Sequence, residues 1–264
     1  MKRELALVME RRDQLIRLLG EEPDCRVEEM AKRLGVSLIT VRRDLQYLEE
    51  KKLLTRFYGG ARLSAKGLRE LNDVAYYRDL IARYAATLIR ERDSLFINTS
   101  MNALALTQYV TAQNVTVITN NGKAITQEHG SGVSILLSGG ELRFPKEALV
   151  GEYAVQNLKN IFAKKAFIGC SGISARTGTT TEIVNEIRIN QLMMEHAAEA
   201  VYILADHTKI GRNNGFACYP ISQIKHVITD EKADPQEVEA MRAQGIEVTV
   251  VGRGMKREWE TTEA

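Results

Sequence analysis

Cysteine is scarce and scattered in this chain: three residues in 264, at positions 25, 170 and 218. An odd number at such spacing excludes a disulfide framework and points to a reducing compartment, the cytoplasm. No apolar run approaches the roughly 20 residues of a bilayer span, so no membrane partner is expected. The N-terminus, MKRELALVMERRDQ, alternates charge with short apolar steps and lacks the continuous apolar stretch of a secretory signal. The four histidines (129, 196, 207, 226) lack metal-ligand spacing, and neither a metal nor a cofactor is expected. What is present suffices for a core. Hydrophobic residues make up 44% and charged residues 27%, which excludes disorder as the main state. At about 150 residues per domain, the length corresponds to just under two domains.

Net charge is +2, too little to name a partner, but it is unevenly spread. Residues 1–70 hold 16 basic and 12 acidic groups, a net of +4, and the remainder nets −2. A basic small module on a mildly acidic larger one fits a nucleic-acid reader joined to something else. The small module reads as three helices and a hairpin. Leu5, Val8, Met9, Leu15, Ile16, Leu18 and Leu19 repeat at helical spacing, and Gly20 to Pro23 ends that run. Val27, Met30, Ala31 and Leu34 form a second stripe, closed by Gly35. Ser37 is a good N-cap for a third helix with Val41, Leu45 and Leu48 inward. Two helices joined by a short glycine turn are a helix-turn-helix. LLTRFYGGARL then predicts a wing, a hairpin turning at Gly59-Gly60.

If the third helix enters a major groove, its outward positions are Leu38, Thr40, Arg42, Arg43 and Gln46, with Ser37 at its start. Arginine reaches guanine bidentately, and Thr and Gln are common base contacts. Asp44 suits no phosphate contact and is expected to orient Arg42, Arg43 or a cation on another helix. Arg56, Tyr58 and Arg62 flank the wing and suit backbone or minor-groove contact. Arg11, Arg12 and Arg17 are further phosphate candidates.

Residues 64–73 lack period and apolar weight and read as a linker between a winged helix-turn-helix (1–63) and a larger domain (74–252). Residues 253–264 read as a polar tail. In the larger domain, short β-rich runs such as SLFIN (94–98), VTVIT (115–119), KAFIG (165–169) and HVIT (226–229) alternate with helical stretches near 102–112, 122–129, 149–160, 182–198 and 235–244. That alternation predicts an α/β domain with a mostly parallel sheet. Ligands of such sheets sit at the carboxyl ends of strands. Small and amide-bearing residues gather there: Asn98, Thr99, Ser100 and Asn102; Asn120 and Asn121; Gly139 and Gly140; Gly172; and Thr180 in the run before the next helix. Lys209, in Asp206-His-Thr-Lys209, is placed to meet a phosphate as a point charge.

The run S-L-I-T-V-R-R-D-L (37–45), with EEMAKRLGV before it and R-F-Y-G-G-A (56–61) after it, resembles DeoR-type bacterial transcriptional regulators. V-I-T-N-N (117–121), L-L-S-G-G-E-L (136–142), L-V-G (149–151), K-A-F-I-G, L-A-D-H-T-K (204–209) and V-I-T-D (227–230) continue the resemblance in order. It implies a sensor domain built like ribose-5-phosphate isomerase, a phosphorylated sugar or similar anionic effector, double-stranded operator DNA as partner, and usually repression relieved by ligand. Glu186 aligns with the family's helix glutamate and Lys209 with its Asp-x-x-Lys lysine. Departures stand at Asn98-Thr-Ser-Met-Asn102, where most members read Asp-x-Gly-Thr-Thr, and at Cys170-Ser171, where an acidic residue is usual. An isomerase is the alternative. It needs a carboxylate base and acidic partners, and Glu186 stands without them, so no catalytic residue is assigned. One head covers a short footprint, so self-association to a dimer or tetramer is expected.

Overall fold

Capping and glycine set the geometry of the first helices. Helix α1 (Lys2–Glu21) precedes α2 (Val27–Leu34), which ends on Gly35 at φ 64, the left-handed cap that a side chain would strain. In α3 (Leu38–Glu50), Ser37 Oγ accepts the Thr40 N–H at 3.2 Å, as an N-cap should. Val41, Leu45 and Leu48 are buried against Leu15, Leu19, Met30 and Leu54 in one core. Strands β1 (Leu54–Phe57) and β2 (Gly60–Leu63) form the wing, with Leu54 opposite Leu63 and Phe57 opposite Gly60. The loop is therefore Tyr58-Gly59, one residue earlier than Gly59-Gly60. Gly59 takes the positive φ (82), while Gly60 is paired and roofed by Phe57, whose ring would lie 2.5 Å from an added Cβ.

Residues 64–73 are not an irregular linker: helix α4 runs Ala65–Thr87. Ser64 starts it, its Oγ accepting from Gly67 N–H at 3.1 Å and donating to Lys52 O at 2.7 Å. The missing Cβ of Gly67 admits the Leu53 carbonyl, and Leu71 covers Gly20. The structure, a computed structural model, describes residues 2–252 and divides into two units, Met1–Tyr76 and Tyr77–Ala264. The polar tail lies outside the described residues.

The second unit contains β3 (Ser94–Ile97), α5 (Met101–Ala105), β4 (Val115–Thr119), β5 (Val133–Leu137), β6 (Glu141–Arg143), β7 (Ala148–Val150), α6 (Glu152–Leu158) and β8 (Ala163–Gly169). It continues with β9 (Gly172–Ser174), β10 (Gly178–Thr181), α7 (Ile187–Glu195), β11 (Ala197–Leu204), β12 (Phe216–Tyr219), β13 (His226–Asp230), α8 (Pro235–Arg242) and β14 (Glu247–Val251). Seven strands form one parallel sheet in the order β14-β13-β11-β8-β3-β4-β5. Phe96, Ile168, Ile203 and Val227 anchor its core with Leu192 and Met241 of the covering helices. Several expected helices shrink. Residues 102–112 give α5 and a 3₁₀ turn, Leu106–Tyr109; 122–129 give only a 3₁₀ turn, Gly122–Ile125; 149–160 splits into β7 and α6; and in 182–198 a 3₁₀ turn, Val184–Glu186, precedes α7. From β3 the chain winds toward β5, and from β8 it winds the other way toward β14. Neighbouring β3 and β8 thus form a topological switch point, and their carboxyl ends open the crevice where such sheets bind ligands.

Candidate nucleic-acid interface and effector site

The outward side of α3 carries Arg42 and Arg43, both exposed, and neither has a hydrogen bond or ion pair among the described residues. Asp44 is nearly fully buried beside them and takes its cations from another helix, Arg11 Nε at 2.5 Å and Arg12 Nε at 2.9 Å. The Arg12 guanidinium also lies 3.6 Å from the Tyr47 ring centroid. Arg11 and Arg12, expected to touch phosphate, are instead spent on clamping α1 to α3. Among the described residues the neighbouring arginine pair is left without a compensating carboxylate. Thr40 is half-buried, its hydroxyl 2.9 Å from Ser37 Oγ, so both hydroxyls serve the cap. Gln46 is exposed and donates weakly to Glu50 at 3.3 Å.

The wing arginines are engaged but displaceable. Arg56 Nε meets Glu49 at 2.7 Å, and Arg62 forms a bidentate pair with Asp24 at 2.6 and 2.5 Å. Hydrogen bonding to Arg62 holds the Asp24 carboxyl below its usual range. Exposed pairs of this kind are weak and solvent-screened, so an incoming anion would displace them at small cost. Both arginines line one groove with Asp24, Thr55 and Phe57, and Tyr58 stands fully exposed at the loop tip.

At the switch point the predicted residues divide by role. Asn98 is buried and uses its whole amide internally: Nδ2 donates to Gly169 O (2.9 Å) and Asn190 Oδ1 (3.1 Å), while Oδ1 accepts from Gly169 N (3.0 Å) and Ser100 N (3.2 Å). Its side chain stitches β3 to β8, and all four of its hydrogen-bonding positions are used within the fold. Thr99 Oγ1 donates to Glu186 Oε1 at 2.8 Å, and Thr181 reaches the other oxygen at 3.4 Å; all three are buried. Thr180 Oγ1 donates to Gly172 O and accepts from Asn214 N–H, and Gly172 is pressed against the Arg212 carbonyl. Ser100 is half-buried at the head of α5, a five-residue helix with little dipole to offer an anion.

Charge at this edge comes from the end of β11. Burial alone would raise the Asp206 pKa; Arg78, 2.8 Å away, and Lys209 outweigh it and hold the carboxyl well below the ordinary range. Asn102 reaches the same carboxylate at 3.5 Å. Lys209 is half-buried, and its ammonium makes no hydrogen bond or ion pair among the described residues, although its charge reaches Asp206 and Cys170. Arg212, on the same loop and half-buried, is a second such cation that sequence reasoning missed. Cys170, at the end of β8, is pushed up to about 12 by burial and stays a protonated thiol. Asn120 and Asn121 are fully buried at the end of β4, Asn120 donating to Leu149 O and Asn121 capping Lys123 N–H. Asn120 Oδ1 and Asn121 Nδ2 have no hydrogen-bond partner among the described residues. Gly139 and Gly140 take positive φ at the end of β5; the Asn157 amide bonds the adjacent Ser138 carbonyl at 2.8 Å. Among the described residues no hydrogen bond or ion pair ties this second group to the switch-point group. Both lie at the carboxyl edge of the sheet.

Comparison with known proteins follows the same division. Residues 11–66 match the DeoR-like helix-turn-helix domain, and residues 75–231 match the DeoR C-terminal sensor domain. The chain is 27% identical over 255 residues to the putative aga operon transcriptional repressor of Escherichia coli O157:H7, covering 92% of this chain and 94% of that one. It is 30% identical over 247 residues to the lactose phosphotransferase system repressor of Staphylococcus aureus strain N315, covering 88% and 96%. Among solved structures it overlaps loosely with ribose 5-phosphate isomerase A of Methanocaldococcus jannaschii, at 12% identity and a TM-score of 0.34 over 50% of this chain and 52% of that one. The two sequence relatives are named as repressors, and they span the chain from its helix-turn-helix to its sensor sheet. With both of its parts matched in order, this chain belongs to the DeoR family of helix-turn-helix transcriptional regulators.

Proposed function

We propose that this protein is a repressor of a carbohydrate-utilisation operon, released from its double-stranded operator when a phosphorylated sugar occupies the carboxyl edge of the sensor sheet. The observation that carries the DNA reading is the exposed Arg42-Arg43 pair, without an ion pair among the described residues, on a capped helix clamped through Asp44. On the effector side, Lys209 supports the reading: a half-buried ammonium without an ion pair is a receptor for an anion. The protein acts as a dimer or tetramer, because one head covers one half-site. Its setting is the cytoplasm. Among the described residues the cysteines are free and no helix is long and apolar enough to cross a membrane.

The test is a gel shift on the promoter region of the protein's own operon, with salt titration and a panel of pentose and hexose phosphates. Binding specific to that region, weakening with salt, and reversed by one phosphorylated sugar is the expected result. Lys209→Gln should keep operator affinity and lose the response. Equal binding to random duplex would overturn the DNA reading, and release by the unphosphorylated sugar at the same concentration would overturn the effector class.

A further inference from the structure

The helix that presents Arg43 also exposes an isoleucine. Ile39 lies in the first turn of α3, 71% exposed, beside Leu38 at 39%. The buried face of α3 is Val41, Asp44, Leu45 and Leu48. At 3.6 residues per turn, the row opposite that face is Ile39, Arg43, Gln46 and Glu50, spaced i, i+4, i+7 and i+11. Ile39 therefore heads the same outward line as Arg43 and Gln46, whereas Arg42 and Thr40 fall on its two flanks. Among the described residues this isoleucine joins no core cluster, and a β-branched residue there is a poorer helix former than alanine. A local rule broken without internal compensation marks a functional position.

We propose that Ile39 is a base-reading residue that packs against the 5-methyl group of a thymine in the operator's major groove, next to the base pair read by Arg43. The inference rests on the DNA reading above. The first turn of a recognition helix is the part that reaches base edges, and the thymine methyl is the apolar feature on the major-groove floor. Covering it removes both the methyl and the isoleucine from water, whereas Arg43 and Gln46 supply polar contacts along the same row.

The probe is the duplex that the full-length wild-type protein selects from a random library. Each thymine is replaced in turn by deoxyuridine, which deletes the methyl and leaves every base-pairing and groove hydrogen-bonding group in place. One substitution should weaken wild-type binding about fourfold, the effect of one buried methyl group. Ile39→Ala should lose about as much on the thymine duplex and show no further loss on the deoxyuridine one, while Ile39→Val retains part of the discrimination. Circular dichroism should show both variants folded, because the side chain is exposed. The proposal is overturned if wild type is indifferent to deoxyuridine at every position, or if Ile39→Ala still distinguishes the two duplexes. If the library yields no preferred sequence at all, the DNA reading itself fails, a separate outcome.

Discussion

Arg42 and Arg43 are neighbours in sequence but point about 100° apart around α3. Arg43 stands on the row facing away from the buried Val41, Leu45 and Leu48, and Arg42 stands on its flank. The two should therefore fail differently. Arg43→Ala is expected to cost about 1–3 kcal/mol on the preferred duplex and to relax the choice at one base pair. Arg42→Ala should weaken all duplexes alike and lower the salt slope by roughly one. Fluorescence anisotropy on preferred and random duplexes across a salt series reads both. A uniform loss for Arg43→Ala would assign that residue to phosphate. The arginine pair was legible because a capped amphipathic helix announces its outer face. The fates of other candidates were not, since they depend on residues distant in sequence: Arg11 and Arg12 find Asp44 across more than thirty positions, and Arg62 finds Asp24. Asn98 shows the same limit. A polar residue after a strand reads as a ligand group, but two of its four internal bonds arise only when β8 is laid beside β3, and a third needs Asn190 of α7.

At the scale of elements, the central strands were legible because a parallel sheet buries both faces and its strands read as short continuous apolar runs. Strands β6, β7, β9, β10 and β12 were not, since three or four residues show no period. Nor does any residue pattern announce the β3–β8 neighbourhood that creates the crevice. The end of β11 permits a test at this scale. Asp206 is fully buried and ionised between Arg78 and Lys209, its folded pKa depressed below the unfolded value. A depressed carboxylate stabilises the fold above its unfolded pKa, about 4, and that contribution is lost as pH falls through the folded value. Urea unfolding of the full chain should accordingly show stability declining as pH falls below about 4. Asp206→Asn should flatten that acid limb and cost roughly 3 kcal/mol at pH 7, because it leaves Arg78 without its carboxylate. Acid limbs that superimpose for variant and wild type would remove Asp206 from the account.

For the whole molecule the constraint is thermodynamic. Moving operator occupancy from about 99:1 to 1:99 requires a differential affinity near 10⁴. A single coupled site typically supplies about 5–150-fold. One effector on one chain therefore falls short, whereas two chains that each contribute about a hundredfold reach the required product. The proposed dimer would meet this demand on switching as well as that of the short footprint of one head. Linkage then makes a demand that does not depend on how the signal travels: if the sugar phosphate weakens operator binding by a given factor, operator must weaken sugar-phosphate binding by the same factor. Calorimetric titration of the active sugar phosphate into the free protein and into the operator complex measures it directly. The expected result is a Kd raised in the complex by a factor equal to the loss of operator affinity measured at saturating sugar phosphate. Equal affinity in both titrations would show that this compound does not discriminate the two states and, however tightly it binds, is not the inducer.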